Sequence, residues 1–83
     1  MKKITIYTTN YCPYCVKAKE LFSRKNLAFE EIDLSEDHER RSQLVRETGM
    51  RTVPQIFVGE TFVGGCDDLH ALEKNGELDR LLE

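Results

Sequence analysis

Lys3-Ile4-Thr5-Ile6-Tyr7-Thr8-Thr9-Asn10-Tyr11-Cys12-Pro13-Tyr14-Cys15 is the stretch on which the fold turns. Lys3 to Thr8 alternates at period two and is rich in β-branched side chains, which predicts a strand. Pro13 suits the first position of a helix, where its missing N–H costs nothing and its φ is already helical. Cys15, Ala18, Leu21 and Phe22 then recur at helical spacing through about Arg24. A strand therefore runs into a helix whose first turn carries two cysteines. Cys12 falls at the helix start, among unpaired N–H groups and about half a positive charge. Cys15 lies three residues on, close to one turn, so both sulfurs can share a face.

Working outward, Asn26 is a plausible helix terminator, and Leu27 to Leu34 reads as a second strand through Phe29, Ile32 and Leu34. Ser35, followed by Glu36 and Asp37, reads as an N-cap with first-turn acids. The helix it opens passes Leu44 and Val45 and ends at Gly49. Its apolar face is thin, which places it on the outside. The run Glu36 to Arg41 reads as a solvated helix face. Gln55 to Val58, Gly59-Glu60 and Thr61 to Val63 read as a hairpin, broken by Gly64-Gly65. Cys66-Asp67-Asp68 opens another helix, with Leu69 and Leu72 inward, which Gly76 ends. Leu78, Leu81 and Leu82 form a last helical turn over the core. Phe22, Phe29, Phe57 and Phe62 read as core, and His38 and His70 as solvated surface residues. The order β-α-β-α-β-β-α implies one α/β domain over residues 1–83. A parallel βαβ unit is followed by an antiparallel hairpin, in a four-stranded mixed sheet flanked by helices.

Composition excludes several function classes. No apolar run approaches the roughly 20 residues of a membrane-spanning helix. The first ten residues lack the apolar core of a secretory signal. Twelve basic against fifteen acidic residues leave a net charge of −3, which argues against nucleic acid as the main partner. Three cysteines are an odd number and a poor disulfide framework, so a reducing, cytoplasmic setting is expected. In such a setting Cys12-Pro13-Tyr14-Cys15 points to redox or metal chemistry. A structural zinc needs four ligands. Beyond the pair the chain offers Cys66, His38 and His70, with no second close-spaced pair, and no metal is expected. For redox chemistry only the thiolate attacks a disulfide. Cys12 would form the mixed disulfide, and Cys15 would then attack Cys12 and release the reduced product.

Four stretches together resemble the glutaredoxin family, in its small dithiol bacterial type. They are Ile6-Tyr7-Thr8, Cys12-Pro13-Tyr14-Cys15, Thr52-Val53-Pro54-Gln55-Ile56-Phe57 and Gly64-Gly65-Cys66-Asp67-Asp68-Leu69. Thioredoxins share the fold but usually carry Gly-Pro between the cysteines. The resemblance covers nearly the whole chain. It implies a thioredoxin-like fold and reduction of protein disulfides and glutathione mixed disulfides, with glutathione as reducing co-substrate and no bound cofactor. It also implies a cis Pro54 facing the dithiol. Glutathione would lie against Tyr14, Thr52, Val53, Pro54, Gly65, Cys66, Asp67 and Asp68. Val53 would offer its backbone to the cysteinyl unit like a short added strand. The N–H groups of Cys66 and Asp67 would take the γ-glutamyl carboxylate, and Asp68 would accept from the ammonium. Read from the residues alone, Asp67 and Asp68 are better taken as first-turn acids complementing a helix dipole, and the resemblance reverses that preference. Cys66 reads as a small half-buried residue near the ligand, with a third redox thiol as the alternative.

The chain departs from the family where Thr9 replaces a common lysine three residues before the first cysteine, with Lys17 or Arg51 as possible substitutes. Met50, Arg51 and Tyr11 are expected to reshape the rim. The expected partners are glutathione and disulfide-bearing or glutathionylated proteins, ribonucleotide reductase among them. Neither nucleic acid nor membrane is expected as a partner, and the protein is expected to be a monomer. The competing readings are a thioredoxin-reductase-coupled redoxin and an iron–sulfur carrier. The carriers of this family use a single active-site cysteine, which Cys15 and Pro13 argue against here.

Overall fold

In the computed structural model, which describes residues 1–83, the chain forms β1 (Ile4–Thr8), α1 (Pro13–Arg24), β2 (Glu30–Asp33), α2 (His38–Thr48), β3 (Gln55–Val58), β4 (Thr61–Gly64), α3 (Cys66–Lys74) and α4 (Glu77–Leu82). The sheet order is β2-β1-β3-β4. β1 pairs with β2 in parallel, and β3 is antiparallel to both β1 and β4. The expected order and mixed sheet are therefore present. The last helical turn is a six-residue helix, α4.

Period-two alternation puts Ile4 and Ile6 of β1, with Ile56 and Val58 of β3, on one face. All four are buried in one cluster with Ala18, Leu21 and Phe22 of α1, Leu69 of α3, and Leu78 and Leu82 of α4. Tyr7 and Phe57 point the other way, stack edge to face at 5.9 Å, and lie on the α2 side, where Arg40 sits over the Tyr7 ring. Only Leu44 of α2 is buried, as its thin apolar face predicts.

Several expectations need correction. The second strand is shorter than Leu27 to Leu34. Asn26 takes a left-handed φ of 58°, and Leu27 N–H donates back to Phe22 O, so ladder pairing with β1 starts only at Glu30. The N-cap of α2 is Asp37, whose carboxylate accepts from Arg40 N–H at 3.0 Å, and not Ser35. Ser35 is held otherwise: its N–H donates to Asp33 and its hydroxyl accepts from Asn10 N–H. Phe29, Phe57 and Phe62 are half-buried and not full core, the latter two because they share the thinly covered α2 face. Leu72 and Leu81 pack only part-buried against the core. Asn75 caps α3, and Gly76, at φ 73°, turns the chain into α4.

The register explains where a site can form. β1 and β3 are antiparallel, with Tyr7 opposite Gln55, so the start of β3 lies beside the end of β1. The hairpin brings the end of β4 back to the same place, with Gly64 opposite Ile56. The start of α1, the loop before β3 and the start of α3 therefore meet at one end of the sheet.

Candidate functional site

Cys12 is the N-cap of α1, in an extended conformation with Pro13 in the first turn. Cys12 and Cys15 are joined as a disulfide, with Cα atoms 5.2 Å apart. The Cys12 sulfur accepts from Cys15 N–H at 3.1 Å. Cys12 is half-buried, whereas Cys15 is 2% exposed. Only the first sulfur can be approached from solvent. In the reduced protein the same N–H and the helix dipole would favour a thiolate at Cys12.

Across from the dithiol the Val53–Pro54 peptide is cis. Val53 O lies 3.6 Å from the Cys12 sulfur. The N–H and C=O of Val53 make no backbone hydrogen bond, so an extended chain can pair with them. The loop carrying them is held from beneath by Gln55, 1% exposed. Its amide donates to Met50 O at 2.8 Å and Thr52 O at 3.1 Å, and its oxygen lies 2.8 Å from the Thr48 hydroxyl. One buried side chain therefore ties the end of α2 to the loop before β3.

The third wall is the start of α3. Gly65 is its N-cap, and Gly65 N–H donates to the Asp68 carboxylate at 3.0 Å. The N–H groups of Cys66 and Asp67, in the first turn, have no intrahelical partner. A β-bulge at Val63 shifts the β3–β4 register, so that Gly64, at φ 116°, is the residue opposite Ile56. A side chain at Gly64 would collide with the Asp68 carboxylate, so both the φ and the close approach require glycine here.

These walls enclose a cavity of about 360 Å³ lined by Tyr14, Met50, Thr52, Val53, Pro54, Gly65, Cys66, Asp67 and Asp68. Every residue expected to contact glutathione lies on it. Cys12 borders it through Val53. Met50 adds a thioether reaching toward Gly65. Of two residues outside the expected glutathione contacts, Met50 was expected only to reshape the rim, and Gln55 was not expected in the site at all. A Gln directly after the Pro of Thr-Val-Pro was the available signal for the second.

Lys17 rather than Arg51 comes to the dithiol side, with its ammonium 5.4 Å from the Tyr14 ring centroid. Arg51 lines a different cavity on α2. Tyr11, at φ 55° and 99% exposed, projects from the rim. Cys66 is buried, at 6%. Burial, then the Asp67 charge, pushes its thiol pKa up, and Lys17 opposes this. His70 is half-buried and not a free surface residue: its Nδ1 lies 2.8 Å from Cys66 O and 3.4 Å from the Cys66 sulfur. His38 lies apart, on α2.

Residues 4–63 match the Glutaredoxin family profile. The chain is 56% identical over 82 residues to a glutaredoxin of Pseudomonas aeruginosa, covering 99% of this chain and 98% of that one. It is 43% identical to glutaredoxin 3 of Escherichia coli over the full length of both. Among solved structures it resembles the glutaredoxin of Brucella melitensis, with a TM-score of 0.88 and 51% identity over 99% of this chain and 89% of that one. It also resembles a buckwheat glutaredoxin–glutathione complex, with a TM-score of 0.91 and 30% identity over 98% and 76% of the two chains.

Proposed function

The chain belongs to the glutaredoxin family and is a thiol-disulfide oxidoreductase, and from that premise we propose that Cys12 is its nucleophile, Cys15 its resolving thiol and glutathione its reductant. The observation that carries the assignment is the asymmetry of the pair. Cys12 is accessible at a helix N-terminus and receives an N–H bond, whereas Cys15 is buried behind it.

With a glutathionylated protein, the Cys12 thiolate attacks the glutathione sulfur. A Cys12–glutathione disulfide forms and the protein leaves as a thiolate, which takes up a proton. A second glutathione thiolate then attacks that sulfur, releasing oxidised glutathione and restoring Cys12. With a protein disulfide, Cys12 bonds to one sulfur of the substrate and frees the other. Cys15 then attacks Cys12, the reduced protein leaves, and the Cys12–Cys15 disulfide remains for two glutathione molecules to reduce.

The cavity supports the matching binding mode. Val53 presents its free N–H and C=O to the cysteinyl unit, as an edge strand would. The orphan N–H groups of Cys66 and Asp67 suit the γ-glutamyl carboxylate. Asp68 both caps α3 and faces the ammonium. Tyr14, Thr52, Pro54 and Gly65 supply the walls. The whole chain acts as one domain and a monomer. It works in the cytoplasm, on glutathione and on disulfide-bearing or glutathionylated proteins such as ribonucleotide reductase; no helix is long and apolar enough to cross a membrane.

The test is the intact mass of reduced Cys15→Ser after brief exposure to oxidised glutathione, with the adduct mapped by peptide. One fast adduct on Cys12 is expected, with deglutathionylation retained and reduction of protein disulfides impaired. A slow adduct, or one on Cys66, would overturn the assignment, as would full activity in Cys12→Ser.

A further inference from the structure

The loop that walls the dithiol cavity has two sides. Met50 and Thr52 line that cavity, whereas Arg51 between them lines a separate one of about 440 Å³ with His38, Arg41, Ser42, Val45 and Arg46. The five α2 residues fall at i, i+3, i+4, i+7 and i+8, which is one helix face. No carboxylate lines this depression; Asp37, the N-cap four residues before Arg41, and Glu39, at its border beside Arg46, form no ion pair with these arginines. The intramolecular ion pairs use Lys3, Lys19 and Lys25. Arg41, Arg46 and Arg51 take part in none. Three guanidinium groups outside any ion pair gather around one depression in a chain whose net charge is −3, so the local charge there runs against the overall one.

We propose that this basic face of α2, with Arg51, docks an acidic segment of the protein whose mixed disulfide occupies the dithiol cavity. The inference rests on the reading of that cavity given above. Guanidinium groups bind carboxylates through paired, charge-assisted hydrogen bonds. Arg51 directly precedes Thr52 and Val53, so the depression adjoins the backbone edge to which the glutathione unit pairs. A substrate chain leaving the dithiol can cross Arg51 onto α2. The docking contributes no covalent step. It raises the capture rate of acid-flanked substrates by steering and leaves the exchange at Cys12 as already described.

The test compares two peptides glutathionylated on one cysteine, one flanked by Asp and Glu and the other by Asn and Gln at the same positions. At low salt the unmodified protein should favour the acidic peptide in kcat/KM by about tenfold. Arg41→Glu combined with Arg46→Glu should abolish or invert that preference while the neutral peptide stays within about twofold, which also reports that the variant is folded and active. About 0.5 M sodium chloride should bring the preference close to unity, since the screening length at that strength is only a few ångströms. Equal loss on both peptides, or no loss, overturns the proposal. Phosphate abolishing the preference far more than chloride at matched ionic strength would also overturn it, by reassigning the depression to a small oxyanion. Failure to turn over either peptide would refute the reading of the dithiol cavity, and the docking proposal with it.

Discussion

The dithiol turn and the loop facing it are built by different means. Asn10 to Cys15 is a local structure: a strand end, a proline at a helix start and a helix dipole bring the two sulfurs together. Its polar support is partly exposed. Thr8, just before the turn, donates to Glu31 at 2.7 Å, and Lys19 of α1 pairs with the same carboxylate at 3.0 Å. Met50 to Pro54 has no regular structure of its own and is held by the buried amide of Gln55. On the proposed function, chemistry resides on a wall that local propensities form, and binding on a wall that depends on one tertiary hydrogen-bond cluster. Damage to the second should cost more stability and should fall on substrate affinity more than on the reactivity of Cys12.

The sharpest way to break this comparison is Gln55→Leu. It leaves the Met50 and Thr52 carbonyls without their partner in a part-buried setting, while the Thr48 hydroxyl keeps Leu44 O, and should cost about 2–3 kcal/mol. Denaturant unfolding measures the loss. Steady-state kinetics should show KM for glutathionylated substrate rising more than kcat falls. A loss below about 1 kcal/mol would mean that the loop is held by something other than Gln55.

Asp68→Ala should have an intermediate effect, because it removes a cap bond from α3 and a carboxylate from the cavity. About 1 kcal/mol of stability should go with the cap. A cap-only role would leave KM for glutathione unchanged. A rise in KM that Asp68→Asn does not rescue would separate the ammonium contact from the cap, because asparagine can still accept from Gly65 N–H.

The smallest effect belongs to the dithiol side. The Thr8 hydroxyl first, then Lys19, holds the Glu31 carboxyl below its usual range, against an opposing contribution from burial. A carboxyl depressed in the folded state stabilises the fold fully above its unfolded value of about 4.3. That contribution fades as pH falls through the lower folded value. Glu31→Gln should therefore cost at most about 1 kcal/mol at pH 7, since the pair is partly solvent-screened. The difference from the unmodified protein should vanish in strong acid. A difference that persisted there would assign the effect to packing rather than charge.

Legibility in the sequence followed the same division. The dithiol, its helix start and the first strand were readable because each depends on neighbours within a few residues. Four short motifs together also pointed to the family, and every residue expected to touch glutathione lines one cavity. What failed were features settled by particular side-chain and strand partners, near as well as distant. The second strand begins only where β1 offers ladder bonds, at Glu30. Asp37 outcompetes Ser35 as a cap because Ser35 is already engaged with Asp33 and Asn10. His70, expected in solvent, folds back on Cys66.

Sequence alone determined the chemistry of this protein, a cysteine pair at the first turn of a helix, because reactivity there arises from local backbone N–H groups and one proline. Only the tertiary structure decided what faces that pair. The antiparallel register of β1, β3 and β4 gathers three chain segments far apart in sequence at one sheet end, and the buried Gln55 and the bulge before Gly64 set their final positions. Long-range pairing and buried hydrogen bonding have no short-range signature, so the shape of the cavity had to come from the fold.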